Sequence, residues 1–238
     1  MNKDIKTALV TGSSARIGAE IIRVLHKNNY QVIIHCNNSK EIADQLCNDL
    51  NNLRENSAKV LVGDLSNIES IDMINDSINS LDLLVNNASV FYPNSVGDSS
   101  PEHWDSILNV NLKAPFFLAK GLSNKLSSQN GSIINISTFA IFEPDSNFPT
   151  SGAFRSSLAA FTKIYSDKYA ADNIRMNNIL PGFIDSLPAK EEFLKKIPLK
   201  RYGKVSEISA VIEMLASEGG AYITGQNIRV DGGITRSV

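Results

Sequence analysis

Apolar runs of strand length alternate with windows of helical period along this chain, and that alternation limits its possible folds more than any other feature. The strand-like runs are residues 7–10, 31–34, 60–62, 81–85, 132–136, 174–180 and 227–230. Helical windows lie at 17–28, after Ser39, and at 68–78, 101–126, 151–172 and 206–217. Pro115 falls inside the long 101–126 window, where a missing N–H predicts a kink. Runs that are apolar throughout belong to strands buried on both faces. Strands separated by helices connect in parallel, because the crossover is long enough to carry the chain back to the same end. The expectation is a single doubly wound α/β domain spanning residues 1–238, a seven-stranded parallel sheet with helices on both faces. No linker, repeat or low-complexity tract divides it, and the many asparagines, spread throughout, carry no functional signal.

The first run leads into Thr11-Gly12-Ser13-Ser14-Ala15-Arg16-Ile17-Gly18, which opens a helix. In that position Gly12 permits a tight turn and Gly18 lets the helix approach the sheet. Backbone N–H groups at the helix start can then cradle a pyrophosphate. This is the context of a dinucleotide-binding Rossmann unit, with Arg16 in place of the pattern's middle glycine. Taken alone, the turn could equally be an ordinary strand–helix connection. NAD-specific sites put a carboxylate at the end of the second strand. Here that strand runs out through His35-Cys36-Asn37-Asn38-Ser39 without an acid, and Arg16 can pair with a 2′-phosphate. NADP(H) is therefore the expected cofactor, held by Gly12, Ser14, Arg16, Ile17, Gly18, Asn37, Asn38 and Ser39. The plain alternative for Arg16 is a solvated arginine at a helix start.

Composition narrows the partners. A formal net charge of −2 supplies no field to attract nucleic acid or an anionic membrane. No segment is long and apolar enough to span a bilayer, and residues 1–6 lack the apolar stretch of a signal peptide. The two cysteines, Cys36 and Cys47, make neither a disulfide framework nor a zinc site, so no metal is expected. His26, His35 and His103 lack metal spacing and read as surface or packing residues. A reduced, cytoplasmic protein with a small-molecule substrate fits these features.

Further segments extend the turn into a family pattern. Asn86-Asn87-Ala88-Ser89 follows the fourth strand, Asn111 lies in the next helix, and Ser137 ends the fifth strand. Pro181-Gly182 follows the sixth, and Asp231-Gly232-Gly233 ends the last. In this order the segments closely resemble the short-chain dehydrogenase/reductase family over nearly the whole chain. The resemblance implies an NADP(H)-dependent oxidoreductase. It puts Asp64 and Leu65 at the adenine, Asn87, Ala88 and Ser89 along the cofactor, and Pro181, Gly182, Ile184 and Ser186 at the nicotinamide carboxamide. Family members usually carry threonine where Ser186 stands. The C-terminal segment from Tyr222 to Gly233 resembles members that assemble through their long helices and last strand, which implies a homo-oligomer, a tetramer or dimer.

The family's reaction uses an asparagine, a serine, a tyrosine and a lysine four residues after the tyrosine. Asn111 and Ser137 match the first two. The helix that should supply the others reads Ser151-Gly152-Ala153-Phe154-Arg155, which puts Ser151 at the tyrosine position and Arg155 at the lysine position. No tyrosine lies between Tyr92 and Tyr165. Tyr165 and Tyr169 read as packing or subunit-contact residues. A serine hydroxyl is a far weaker acid than a phenol, and an arginine stays protonated, so Arg155 can bind the ribose oxygens of the cofactor but is a poor proton shuttle. General acid catalysis contributes about 10²–10⁴-fold, so ordinary ketone reduction should suffer. Positioning and polarisation can still serve an easier acceptor. Two readings stand: a reductase of a C=O or C=N bond with altered proton delivery, or a catalytically weak NADP(H)-binding protein with a regulatory or scaffolding role.

Residues 86–93 and Arg16 resemble the pteridine-reductase branch, and the wider pattern also resembles 3-oxoacyl-ACP reductases. The pteridine branch implies a pocket holding Ser89 and Phe91, with Phe91 stacked on the substrate; a plain loop anchor is the alternative. That branch's aspartate after strand five is Thr138 here. Ser137 and Phe183 complete the candidate substrate contacts, and Phe139, Phe142 and Phe148 surround the expected mouth. Residues 183–200 resemble the family's substrate lid; a solvated surface helix is the alternative.

Overall fold

The computed structural model describes residues 5–128 and 130–237; residues 1–4, 129 and 238 lie outside. Seven strands form one sheet: β1 (Thr7–Val10), β2 (Gln31–Cys36), β3 (Ala58–Val62), β4 (Leu83–Asn86), β5 (Ser132–Ile136), β6 (Arg175–Pro181) and β7 (Asn227–Val230). Their order is β3-β2-β1-β4-β5-β6-β7, and every pair is parallel. The helices are α1 (Arg16–Lys27), α2 (Lys40–Leu53), α3 (Ile68–Asp76), α4 (Pro101–Leu108), α5 (Ala114–Ser127), α6 (Pro149–Tyr169), α7 (Glu191–Lys196) and α8 (Val205–Ala216). This is the doubly wound Rossmann architecture expected. The third strand begins two residues earlier than the apolar run, and the fourth is displaced towards Asn86.

Successive side chains of a strand point to opposite faces, so each apolar run feeds two cores. Val10, Ile34 and Val85 pack under α1, α2 and α8 with Ile22, Leu46 and Ile212. Leu9, Ile33 and Leu84 face the other way, against Ile71, Leu118 and Tyr165 of α3, α5 and α6. Local chemistry sets the helix starts. Asn67 accepts the Ser70 N–H at the head of α3, and Ser100 accepts the His103 N–H at the head of α4, where Pro101 fills the first helical position. The kink expected at Pro115 takes the form of a π-helical turn, Asn109–Lys113, between α4 and α5. Pro115 cannot donate to the carbonyl four residues back, and the wider turn ahead of it absorbs the gap. Asn111 sits on that turn, completely buried.

Order reverses between β1 and β4, where the chain leaves the sheet in one direction and returns in the other. In such sheets the crevice above the strand ends at the reversal is the ligand site. The substrate side of this crevice rests on a feature that the scattered asparagines hid. Asn86, Asn135, Asn178 and Asn227 stand in register on β4, β5, β6 and β7. Each amide nitrogen donates to the next oxygen, at 2.8, 3.0 and 2.7 Å in turn. Thr162 of α6 joins the ladder, donating to Asn178 at 2.8 Å and accepting from Asn135 at 3.1 Å. The helix carrying Ser151 and Arg155 is thereby bound to the sheet by polar contacts among buried side chains. Among the described residues no helix is long and apolar enough to cross a membrane.

Candidate active site

The β1–α1 turn is tied to the loop after β4. Thr11 Oγ1 accepts the N–H groups of Asn87 and Ala88 at 2.9 and 3.0 Å, and Asn87 Nδ2 donates to the carbonyls of Thr11 and Gly12. Gly12 has φ +59°, and a Cβ there would stand 2.9 Å from Ala88 Cα; on Gly18 it would stand 2.5 Å from the Gly12 oxygen. Neither position tolerates a side chain, which is the packing that the two glycines suggested. Arg16 has φ +53°. The backbone thus keeps the left-handed conformation a glycine would take there, at a cost of about 1–2 kcal/mol for a residue with a Cβ.

His35, read from sequence as a packing or surface residue, is 2% exposed and bound into this turn. Gly12 N–H donates to its Nδ1 at 3.1 Å, and its Nε2 lies 3.1 Å from the carbonyl of Gly63. Its backbone exchanges two further bonds with Ser13. Burial pushes its pKa down to about 4, with the Gly63 carbonyl and the Asp64 charge opposing. Thr11 and His35 are the two contributors that sequence reasoning missed. An ionisable residue inside the otherwise apolar strand QVIIHC was the available signal.

Around the outer part of the crevice, Ser14 Oγ and Ser39 Oγ are 2.7 Å apart, while Asn37, Asn38 and Arg16 are exposed. No acid stands between His35 and Lys40. A dinucleotide phosphate at this rim would meet hydroxyl, amide and guanidinium donors and no carboxylate, so the residues present fit NADP(H). Ile17 is half-buried beside the turn. Asp64 is exposed and turned onto its own loop, accepting from the N–H and hydroxyl of Ser66 at 2.8 Å each, while Leu65 is buried.

On the other side of the reversal, Asn111 is spent on the loop after β4. It donates to the Val90 carbonyl at 2.7 Å and accepts the Val90 N–H at 3.0 Å. The neighbouring Ser89 accepts from Arg155 Nη2 at 2.7 Å, and Arg155 Nη1 donates to the Ile136 carbonyl at 2.8 Å, next to Ser137. Hydrogen bonds and chain adjacency therefore join Asn111, Ser89, Arg155 and Ser137. Arg155 is 5% exposed, and burial pulls its pKa down to about 10, which leaves the guanidinium charged at neutral pH. Ser89, itself exposed, accepts from that cation and has its own hydrogen free to donate outward. Among the described residues Ser137 Oγ is buried without a hydrogen-bond partner, a state that calls for a ligand or water. Ser151 is half-buried one helical turn before Arg155, on the same face of α6. Its hydroxyl makes no hydrogen bond among the described residues. Tyr165 is buried against Ser123 at 2.8 Å, with its pKa pushed up to about 12 mainly by burial. That hydroxyl serves the packing of α5 on α6.

The segment after β6 begins with Gly182 N–H bonded to the Val230 carbonyl. Ile184 is buried and bridges to Gly203, and Ser186 is half-buried next to it. Phe183 stacks on Phe193 of α7 at 4.3 Å and lies 5.6 Å from Phe139. These rings connect the loop after β5 to the small helix α7. Phe91 is 52% exposed and meets Phe148 edge-on at 6.2 Å. Arg229 lies over the Phe142 ring at 4.4 Å. Among the described residues no cluster of three or more His, Cys, Asp or Glu could hold a metal.

Comparison with known proteins gives this crevice a lineage. The family model described as enoyl-(acyl carrier protein) reductase matches residues 12–235. The 3-oxoacyl-[acyl-carrier-protein] reductase FabG of Rickettsia felis is 32% identical over 237 residues, covering 96% of each chain. Its counterpart in Thermotoga maritima is 32% identical over 245 residues, covering 98% of this chain and 99% of the relative. A crystal structure of a blue fluorescent protein from a metagenomic library, in complex with NADPH, superposes with a TM-score of 0.92. It is 27% identical and covers 98% of this chain and 99% of its own. The chain belongs to the short-chain dehydrogenase/reductase family.

Proposed function

We propose that this protein is an NADP(H)-dependent oxidoreductase that reduces a C=O or C=N bond of a small molecule, with proton delivery reorganised around serines and an arginine. Ser137 carries the reading: a hydroxyl at the end of β5, buried without a partner among the described residues, beside a fixed cation. Bound NADPH would supply the hydride. Ser137 Oγ–H would polarise the acceptor, Ser151 would orient it, and Arg155 would hold positive charge beside the Ser89 hydroxyl. Asn111 would steady the loop bearing Ser89 and Phe91, through Val90. A C=N or iminium acceptor suits this set best. It is more electrophilic than a ketone, and its nitrogen can take a proton from water, so the missing phenol costs less.

The cofactor contacts in this proposal are the turn from Gly12 to Gly18, Asn37, Asn38 and Ser39, Asp64 and Leu65, Asn87 to Ser89, and Pro181, Gly182, Ile184 and Ser186. Arg16 would take the 2′-phosphate. The FabG relatives and the NADPH-bound neighbour support the cofactor and the reaction class. We read the chain as one domain in which residues 183–200 form a substrate lid, hinged after Phe183 and resting on the Phe183–Phe193 stack. Exposed Phe116, in contact with Phe161 at 4.6 Å, marks the face of α5 and α6 through which copies would assemble. Cys36 and Cys47 are both free, in keeping with a reducing cytoplasm.

NADPH oxidation measured with dihydropterins, cyclic imines and 3-oxoacyl thioesters, for wild type beside Ser137→Ala and Ser151→Ala, tests the proposal. We expect turnover on a C=N acceptor that both variants lose; turnover confined to ketones would sink the C=N preference. A second reading is favoured by Arg155, whose two terminal nitrogens are already engaged by Ile136 and Ser89. In that reading the chain binds NADP(H) without turning it over and acts on a partner. Binding, followed by the blue emission of the dihydronicotinamide, with no oxidation on any acceptor would select it.

A further inference from the structure

His35 lies outside the positions given by the family pattern, yet it is bonded to both the phosphate turn and the adenine-side segment of the cofactor crevice. Gly12 N–H can only donate, so Nδ1 must be the acceptor in their 3.1 Å bond. Nε2 then carries the proton and donates it to the carbonyl of Gly63 at 3.1 Å. The Gly12 N–H requires a neutral ring, and the Gly63 carbonyl selects its Nε2–H tautomer. A protonated ring would set N–H against N–H at Gly12. Burial acts in the same direction, while the exposed Asp64 carboxylate pulls weakly the other way. Gly12 begins the phosphate turn, and Gly63 immediately precedes the Asp64-Leu65 segment on the adenine side.

We propose that His35 is the positioning residue of the cofactor site: its neutral ring fixes the phosphate turn at Gly12 against the adenine-side segment at Gly63, before any cofactor arrives. A linkage already made in the free protein spares the cofactor the cost of ordering two loops. The Gly12 N–H is also removed from the set of phosphate donors, so the phosphate must take its donors from later in the turn. The inference rests on the NADP(H) reading for its ligand, but not for its geometry.

Three substitutions separate the two bonds from the packing. His35→Asn keeps an acceptor near the Nδ1 position, His35→Gln keeps a donor near the Nε2 position, and His35→Leu keeps neither. The measurements are NADPH Kd, Tm, the exchange rate of the Gly12 amide in the cofactor-free protein, and the imidazole ¹⁵N shifts of wild type. We expect the ¹⁵N shifts to report the neutral Nε2–H tautomer near pH 7. His35→Leu should weaken NADPH binding about 5–30-fold, the worth of one to two hydrogen bonds, and speed Gly12 exchange by a similar factor. His35→Asn should recover the slow Gly12 exchange and most of the affinity, and His35→Gln should not, even at equal Tm. The Nδ1–H tautomer would overturn the inference, and so would an Asn variant no better than Gln. If His35→Leu fails to fold, the Asn–Gln contrast and the tautomer still decide. Failure of wild type to bind NADPH would defeat the NADP(H) reading, while Gly12 exchange and the tautomer would still judge the linkage.

Discussion

The two sides of the crevice are built differently. On the β1–β2 side the buried polar side chains at the turn are answered within the chain: Thr11 by Asn87 and Ala88, Ser13 by Val10 and His35, His35 by Gly12 and Gly63. On the α6 side Asn111 and Ser89 are answered too, but two hydroxyls are not, and a cation is buried beside them. Among the described residues neither Ser137 Oγ nor the Ser151 hydroxyl has a hydrogen-bond partner, and Arg155 is a buried cation whose pKa burial alone depresses. A preformed site holds a ligand at little reorganisation cost, whereas groups left unpaired become useful only when a reacting molecule pairs them. Under the proposed function, the contrast would give binding to the first side and chemistry to the second.

Removing the cation is the strongest way to break that contrast. Arg155→Met keeps the length of the side chain and deletes a charge whose burial is costly, while stranding the Ile136 carbonyl. The desolvation recovered and the two hydrogen bonds lost, to the Ile136 carbonyl and to the exposed Ser89 hydroxyl that water can satisfy, each come to about 1–3 kcal/mol, so they nearly cancel. We expect Tm to move by only a few degrees. If the protein is a reductase, kcat/KM should fall about 10²–10³-fold, as for the loss of one preorganised donor. Thermal melts beside steady-state rates check this. A variant that loses stability in step with activity would make Arg155 a structural residue and erase the difference between the two sides.

Acid should act on the other side first. The folded pKa of His35, about 4, lies below the unfolded value of 6.5, so between these limits the unfolded chain holds the extra proton. The stability tied to neutral His35 is complete above pH 6.5 and is lost as pH falls towards 4. The whole shift is worth roughly 3 kcal/mol, about 2 of which disappear between pH 6.5 and 5. Urea unfolding of wild type and His35→Asn at several pH values isolates this term, because the carboxylates titrate alike in both. Parallel pH profiles would show that His35 is not held neutral by the turn.

What the sequence disclosed follows the same division. Strands buried on both faces leave continuous apolar runs, so β1 and β5 could be read to the residue, whereas β7, an edge strand with Arg229 exposed, was placed by its position between the last helix and the Asp231-Gly232-Gly233 turn. The glycine turn and the Asn86-Asn87-Ala88 segment were legible because backbone geometry demands those residue types. His35 and the asparagine ladder were not, since their meaning lies in register between strands distant in the chain. Asn86, Asn135, Asn178 and Asn227 align only once the sheet exists. The π-helical turn under Asn111 was half visible: Pro115 signalled an irregularity, but not its form. Ser151 and Arg155 were found by their departure from a pattern, which locates a site without stating its chemistry.

Arg16 sharpens the comparison at the smallest scale, because there one residue serves binding against its own backbone. Arg16→Gly would relieve about 1–2 kcal/mol of left-handed strain and add about 0.5–1 kcal/mol of unfolded-chain entropy. Strain wins by a narrow margin, so the cofactor-free protein should melt about 1–3 °C higher. The guanidinium would be lost from the rim, and a charged contact to phosphate is worth about 1.5–3 kcal/mol. NADPH affinity should therefore fall about 10–100-fold while NADH affinity stays nearly constant, since NADH has no 2′-phosphate to miss the arginine. Calorimetric titration with both cofactors, beside a melt of the cofactor-free protein, reads the two effects separately. Equal losses for NADPH and NADH would mean that Arg16 shapes the turn without selecting the cofactor. A rise in Tm with selective loss of NADPH would mean that the chain keeps a strained arginine where glycine is easier because the phosphate needs it.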